Sequence, residues 1–502
     1  MGTEHKLSIN TFLKKLFKVP QHEAATKGRA NKKHRGSSNQ PQAIMYDAAE
    51  HQIQNHLISR NAIKVCQVLQ DAGFEAYIVG GAVRDLILGL QPKDFDVATN
   101  ATPEQVKPLF RRALIIGRRF RLVHCLFGRE IIEVSTYRAA STQKQHTDEF
   151  GRVLSDNVYG NQAQDAERRD FTINALYYDP IAKTLIDYHH GLHDIRHRLV
   201  RIIGDAEARY REDPVRLLRA LRFQAKLNGS LEASTAAPIK SMAKLLLNVP
   251  ESRLADESLK LLCCGNSNLC LQLIAAHGLS DGILPLINLL QQQLEHNKFL
   301  QIALERTDYR IRSSKTVSPS FLYAAALWPL VSERWRYYQD EHKEPVVPAL
   351  VQAAHEVLEK FARHLSLQRR QSSDMREIWF MQPRFEKRSL RAIYRMFEQP
   401  RFRAAVDFLQ IRAAAGEFDS VLAQWWMDLA DADSDERSAM LTQLPQPSRQ
   451  QRSTTGMDGE AVKSKRRRRP RKRNYANRKR KAMAAQAEPT SSNTTKGSGA
   501  HE

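Results

Sequence analysis

Cysteine is scarce in this 502-residue chain: Cys66, Cys125, Cys263, Cys264 and Cys270 make an odd count with no C-x-x-C pair. That argues against a zinc ribbon or a disulfide framework and suits a reducing compartment. No apolar run reaches the roughly eighteen residues of a membrane span, and the start lacks the apolar core of a signal peptide. The expected location is the cytoplasm. Acid is missing from Lys463 to Lys481, where 13 residues are Lys or Arg. That run carries over half of the formal net charge of +22. A block of one sign favours a polyanion such as RNA, or else serves as a solubilising tail or localisation signal. Strand signals are missing beyond about residue 232, where Leu, Ala and Ile recur at helical spacing, as in SRLADESLKLLCCG. The second half therefore reads as an all-α array.

What is present centres on Tyr77 to Thr99, YIVGGAVRDLILGLQPKDFDVAT. It reads as a strand (Ala76 to Val79), a Gly80-Gly81 turn, and a helix with Val83, Leu86, Ile87 and Leu90 on one face. A second strand from Asp94 to Ala98 follows, sending Asp94 and Asp96 to one side and Phe95 and Val97 to the core. Two adjacent carboxylates are costly unless a cation lies between them. The glycine turn lets backbone N–H groups approach a phosphate, with a helix N-terminus behind it. Either motif alone is weak, since a lone D-x-D is usually solvated and a lone Gly-Gly is usually a turn. Together, in this order, they describe a site for a magnesium nucleotide.

Upstream, a helical pattern with Ile58, Ala62, Val65, Cys66 and Leu69 leads into the first strand, and Pro103 lies near the start of another helix. ALIIGRRFRLVHCLFG and EIIEVSTYR read as two strands rich in β-branched residues. Glu133 faces away from Ile132 and Val134, so it becomes a third carboxylate if its strand pairs beside D-x-D, and otherwise a solvated acid. Residues 141 to 165 are polar and read as a mobile loop. A helix over Asp165 to Tyr178 would turn Phe171, Ala175 and Tyr178 inward and leave Arg169, Asp170 and Asn174 to line a cleft, or to form surface ion pairs. In YREDPVRLLRALRFQAKL, Asp213 is the expected N-cap and Pro214 the first helical residue. Leu217, Leu218, Leu221 and Ala225 form the buried face, and Arg216, Arg219 and Arg222 a basic flank. His189, His190, His193 and His197 lack the convergence of a metal site and read as loop residues. Near the start, INTFLKKLFKV reads as a short amphipathic helix in a basic leader, compatible with weak membrane-surface contact.

The G-G-A-V-R-D, helix, D-F-D order resembles the nucleotidyltransferase superfamily that includes DNA polymerase beta. Its V-G-G-x-V-R-D…D-F-D form is similar to the branch holding bacterial CCA-adding enzymes and poly(A) polymerases. That resemblance implies an α+β chain: a polymerase-beta-like head with a mixed sheet plus helices, then an all-α C-terminal array, between disordered basic termini. The implied divisions are a leader at 1–44, a catalytic head at 45–185, a helical neck at 186–290, an RNA-binding body at 291–440 and a tail at 441–502. It further implies Mg²⁺ on Asp94 and Asp96, with Asp170 beside them, and a nucleotide held by Gly80, Gly81, Arg84, Arg169 and Asn174. In RRDFTxNAL, Arg169, Asp170 and Asn174 would hold sugar and phosphates. In E-D-x-x-R, Glu212, Asp213 and Arg216 would contact the base edge. The family's D-x-x-G-G-x-x-D is matched at Asp187 and Asp194, but His190 stands where the first glycine falls. IIGRRFRLVHC (Ile115 to Cys125) resembles the poly(A) polymerases, as do VSPSFLYAAALWP, EIWFMQPRF and QPRFRAAVDFLQIRA. Repeated arginines beside Phe and Trp would serve a single-stranded RNA path, or simply pack helices. The implied activity is AMP addition from ATP to RNA 3′ ends, in RNA turnover with RNA-decay partners. CCA addition to tRNA is the runner-up, and a non-catalytic RNA binder is the reading from another class.

Overall fold

Alternating burial along short β-branched runs builds one mixed sheet in a computed structural model that describes residues 42–117, 121–139, 158–279 and 282–444. The expectations for residues 1–41, 118–120, 141–157 and 445–502 lie outside the described residues. The strands are β1 (Ile44–Tyr46), β2 (Ala76–Val79), β3 (Asp96–Thr99), β4 (Ala113–Ile116), β5 (Leu122–Phe127), β6 (Glu130–Thr136), β7 (Leu176–Asp179) and β8 (Thr184–Asp187). Their order is β1-β8-β7-β2-β3-β6-β5-β4. β3 runs antiparallel to β2 and parallel to β6. Helix Arg60–Asp71, capped by Ser59, buries Ala62, Val65, Cys66 and Leu69, the face read from its periodicity, and packs on β2 and β3.

Three local expectations are corrected. The helix after the glycine turn stops at Ile87, so Leu90 lies beyond it and is exposed; the left-handed Gly89 ends the helical run. ALIIGRRFRLVHCLFG is two antiparallel strands, β4 and β5, instead of one. The stretch from Asp165 to Tyr178 is not one helix. Helix Gln162–Arg168 ends at an extended Arg169, a 3-10 turn spans Thr172–Asn174, and β7 follows. Phe171, Ala175 and Tyr178 are buried as expected, but pairing of β7 with β2 and β8 decides the backbone.

Asp187 accepts the N–H groups of His189, Gly191 and Leu192, each at 3.0 Å. This turn forces His190 into the left-handed region at φ +60°, the conformation that glycine adopts freely. The His190 side chain is exposed, so it returns little packing. His190→Gly is expected to stabilise the fold by about 1 kcal/mol, read as a higher denaturant midpoint with unchanged slope; an unchanged or lower midpoint would refute the strain. Gly191 tolerates no such exchange, since a Cβ there would lie 2.2 Å from the Thr172 carbonyl oxygen.

From Ala206 onward helices dominate, and beyond Leu231 no described residue lies in a strand, as the patterning predicts. Helix Val215–Leu227 begins one residue later than expected. Pro214 takes the N-cap position, and Asp213 closes the preceding helix Ala206–Glu212 while still accepting from the Val215 N–H at 3.4 Å. Its apolar face buries Leu217, Leu218, Leu221 and Ala225. In the later helices Trp328, Trp379 and Trp426 are fully buried. Among the described residues no helix is long and apolar enough to cross a membrane.

Candidate active site

The register of the sheet places the motifs side by side. Val79, which precedes the glycine turn, pairs with Asp96, and Asp96 pairs with Glu133 on its other flank. Asp94 lies just before β3 rather than within it. Both aspartates are exposed while Phe95 and Val97 are buried, as alternation requires. They open on a cavity of about 810 Å³ that is also lined by Gly80, Gly81, Arg84, Arg169, Asp170, Asn174, Asp213 and Arg216. The structure thus gathers ten of the twelve expected site residues at one cavity. Glu212 and Glu133 stand outside the lining.

Gly80 is left-handed at φ +71°, and a Cβ on it would lie 3.6 Å from the Arg169 guanidinium; one on Gly81 would lie 3.5 Å from that of Arg84. Two cations therefore sit over the turn. The helix behind it has only seven residues, so side-chain charge rather than helix dipole makes this an anion site.

Each guanidinium is fixed from behind. Arg84 donates to Asn174 Oδ1 at 2.7 Å and pairs with Asp85 at 2.9 Å, which also holds Lys226 at 2.8 Å. Arg169 donates to Asp165 at 3.0 Å and to the Tyr177 hydroxyl at 3.0 Å. That hydroxyl donates onward to Asp165 at 2.7 Å. Asp170 accepts from Arg219 at 2.7 Å, from Asn174 at 3.2 Å and from the Phe171 N–H at 2.9 Å. Burial alone would raise its pKa, but Arg219 and these donors hold it down at about 2. Asp170 is thus held as an anion that organises its neighbours.

Asp96 is the opposite case. Protein packed around the carboxylate at the foot of the cavity strips part of its solvation, and this, then the charge of Glu133, outweigh Arg169 and push it up to about 6. Glu133 itself lies 3.1 Å from His124 Nε2. Among the described residues no three His, Cys, Asp or Glu side chains form a metal-holding group; Glu133 stands beside Asp96 on the paired strand. Two hard carboxylates opening on one cavity fit Mg²⁺, which commonly takes one or two carboxylates and fills its shell with phosphate and water.

Glu212 turns instead to Arg209 at 2.6 Å and Arg216 at 2.7 Å, and Asp213 pairs with Arg253 at 2.7 Å. His193 and His197 stack on each other with ring centroids 4.0 Å apart, away from the cavity lining.

The lining also contains residues not foreseen: Lys93, Phe223, Lys226, Lys260, Cys263 and Cys264, with Arg219 and Arg222 from the basic flank. Arg84, Arg219 and Arg222 surround the Phe223 ring at 5.0, 5.7 and 4.9 Å, so one neutral ring spaces three like charges. The signal was there, because residues 216, 219, 222, 223 and 226 share one helical face. Burial pushes the Cys263 thiol up to about 11, so it is no nucleophile. In the later helices most expected stacking rings are core: Trp328, Trp379, Phe385 and Phe408 are at most 1% exposed. They pack helices and cannot receive a base.

Three family profiles match the chain: "Poly A polymerase head domain" over residues 76–201, "Probable RNA and SrmB- binding site of polymerase A" over 230–290, and "Polymerase A arginine-rich C-terminus" over 342–473. The chain is 42% identical over 404 residues to Poly(A) polymerase I of Haemophilus influenzae, covering 78% of this chain and 89% of that one. It is 39% identical over 426 residues to Poly(A) polymerase I of Escherichia coli, covering 82% and 92%. A CCA-adding enzyme of Lactobacillus helveticus is 37% identical over 222 residues, covering 44% and 54%. Among solved structures, the Bacillus stearothermophilus CCA-adding enzyme in complex with CTP shares the fold, with a TM-score of 0.52 and 24% identity over 77% of this chain and 88% of that one.

Proposed function

The chain belongs to the bacterial poly(A) polymerase family of nucleotidyltransferases, and from that premise we propose that it adds AMP units from ATP to RNA 3′-hydroxyls without a template, releasing pyrophosphate. The observation that carries this reading is one cavity in which two carboxylates face a glycine turn under two anchored guanidiniums.

In this reading Asp94 and Asp96 hold Mg²⁺, which when bound supplies activation of the 3′-hydroxyl and neutralisation of the departing pyrophosphate. Gly80 and Gly81 let backbone N–H groups close on the triphosphate, and Arg84 and Arg169 grip its oxygens. Asp170 aims Arg219 and Asn174 at the sugar and phosphates. Asp213 and Arg216 face the cavity and meet the base edge, while Glu212 orients Arg216. Cationic Lys93, Arg222 and Lys226 lower the cost of a polyanion in the cleft. We assign the head to residues 45–185, the neck to 186–290 and the RNA-binding body to 291–440, in a cytoplasmic enzyme that promotes RNA turnover.

CCA addition is the second reading, favoured by the L. helveticus relative; that match covers 44% of this chain, against 78% for the H. influenzae poly(A) polymerase. The test supplies Mg²⁺, a short RNA or a tRNA ending in CC, and either ATP alone or CTP with ATP. A long ladder from ATP alone is expected. Addition that halts on completing CCA would establish the second reading, and no incorporation with intact RNA retention would establish a binder.

A further inference from the structure

A separate cavity, of about 550 Å³, lies between helix Lys298–Arg312, the loop 313–318 and the start of helix Phe402–Ala415. It is lined by Arg306, Arg310, Lys315, Arg401 and Arg403, with Asp407 the only acid among the described residues of its wall. Two of the five cations are structural: Arg401 pairs with Asp374 at 2.8 Å, and Arg403 with Asp407 at 3.2 Å and with Asp431. Arg310 donates to the Thr316 carbonyl at 3.0 Å, which fixes its direction, and its charge also acts on Asp407. Among the described residues Arg306 and Lys315 have no carboxylate partner, and both are exposed. Beside them the Tyr309 ring is 62% exposed, unlike the buried rings of the later helices. Ala303, Phe321 and Ala404 add an apolar floor. Val317 lines both this cavity and the catalytic one, so one short loop forms a shared wall.

We propose that this cavity is a subsite for the single-stranded RNA just upstream of the reacting 3′ end, with phosphates on Arg306, Arg310 and Lys315 and a base stacked on Tyr309. The inference rests on the RNA 3′-end reading above. Two exposed cations without a carboxylate partner, a third held by the Thr316 carbonyl, and an exposed ring form the combination that single-stranded nucleic acid needs, charge for the backbone and a flat face for any base. A free phosphate would use the charges but leave the ring idle. The volume lies within the range of roughly 300–1,000 Å³ that holds ordinary ligands, enough for a short piece of chain rather than a folded stem.

The test is direct binding of a fluorescent oligo(A), followed by anisotropy against salt, for the full chain and for Tyr309→Ala and Arg306→Gln/Lys315→Gln. Tyr309→Ala is expected to weaken binding about ten-fold with an unchanged salt slope. The double variant should flatten the slope of log affinity against log salt by about 0.7 for each phosphate that is no longer neutralised. Lys64→Gln/Lys360→Gln, outside the cavity, is the charge control, and a thermal melt of each variant reports the fold. Equal affinity and slope in all variants, or an equal loss in the control pair, would overturn the inference. So would variants that retain RNA but lose an acidic peptide, which would make the cavity a protein-docking site. Because binding is read without turnover, wild-type protein that binds oligo(A) yet incorporates nothing would count against the proposed activity alone.

Discussion

Asp96→Asn is expected to lower AMP incorporation by at least ~10³-fold and, in EDTA, to raise the melting temperature. The first effect follows from losing one of the two carboxylates proposed to hold the cation, since metal stabilisation of a transferring phosphoryl group is worth several kcal/mol. The second follows from the raised pKa. The folded Asp96 titrates at about 6 against an ordinary value of 3.8, so the folded state binds its proton more tightly than the unfolded chain does. The stability this provides is complete below about pH 4 and is lost as pH rises through about 6. Above that, the wild-type metal-free protein holds a reluctant charge, and the amide does not. Full burial would make the difference about 3 kcal/mol; Asp96 opens on solvent, so screening reduces it to about 1 kcal/mol. Differential melts in EDTA from pH 4 to 8 should therefore diverge between pH 4 and 6 and run parallel above. Mg²⁺ should raise the wild-type melting temperature and leave the variant nearly unmoved. Undiminished incorporation, or a variant less stable than wild type at pH 7.5 in EDTA, would refute the assignment.

Arg169→Gln is expected to destabilise the protein by about 3 kcal/mol and to cut kcat/KM for ATP by about 10²-fold. Its partner Asp165 is buried, and burial would raise its pKa were it not for Arg169 and Arg168, which hold it below the ordinary range. Removing Arg169 leaves the buried carboxylate to the longer pairing with Arg168 at 3.4 Å, which places the cost at the lower end of the about 3–5 kcal/mol typical of a broken buried pair. Asp165→Asn/Arg169→Gln removes both charges and should recover most of the stability in urea titrations. It should not recover ATP use, because the guanidinium over Gly80 is still missing. If catalytic efficiency returned along with stability, Arg169 would be a scaffold residue and the phosphate grip would have to lie with Arg84, Lys93 and Lys226.

The parts of the site legible in the sequence were those whose neighbours in the chain are also neighbours in space. Gly80, Asp94 and Asp96 sit within one strand-turn-helix-strand unit, so local periodicity placed them. Glu133 could be posed only as a conditional, because its meaning depends on β6 pairing with β3, a partner choice that local sequence does not encode. The stretch from Asp165 to Tyr178 misled because Phe171, Ala175 and Tyr178 fit helical spacing, while a four-residue strand carries too little alternation to compete. The polar side chains that break the pattern there, Arg169, Asp170 and Asn174, are polar because they serve the cavity. Lys260, Cys263 and Val317 carried no signal; they reach the cavity through helix packing, and nothing in their residue types marks them. The rings of the later helices show the reverse error, since Arg beside Trp is as consistent with a packed core as with a nucleic-acid platform. Arg412 lies 5.0 Å from the Trp328 ring centroid and pairs with Glu417 at 3.3 Å, and both the guanidinium and the ring are buried.

The pairing of Val79 with Asp96, and of Asp96 with Glu133, has a consequence for misfolding. Strand side chains alternate strictly, so a slip of β3 by one residue would drive Asp96 into the apolar layer and leave Val97 facing the cleft. A shifted molecule would thus lose the carboxylate proposed to hold the metal and bury an unpaired charge in the same event, at a cost of several kcal/mol. Inactive but well-folded molecules with a slipped central strand should therefore be absent from a refolded population. Quality control by folding and quality control by activity would select the same molecules.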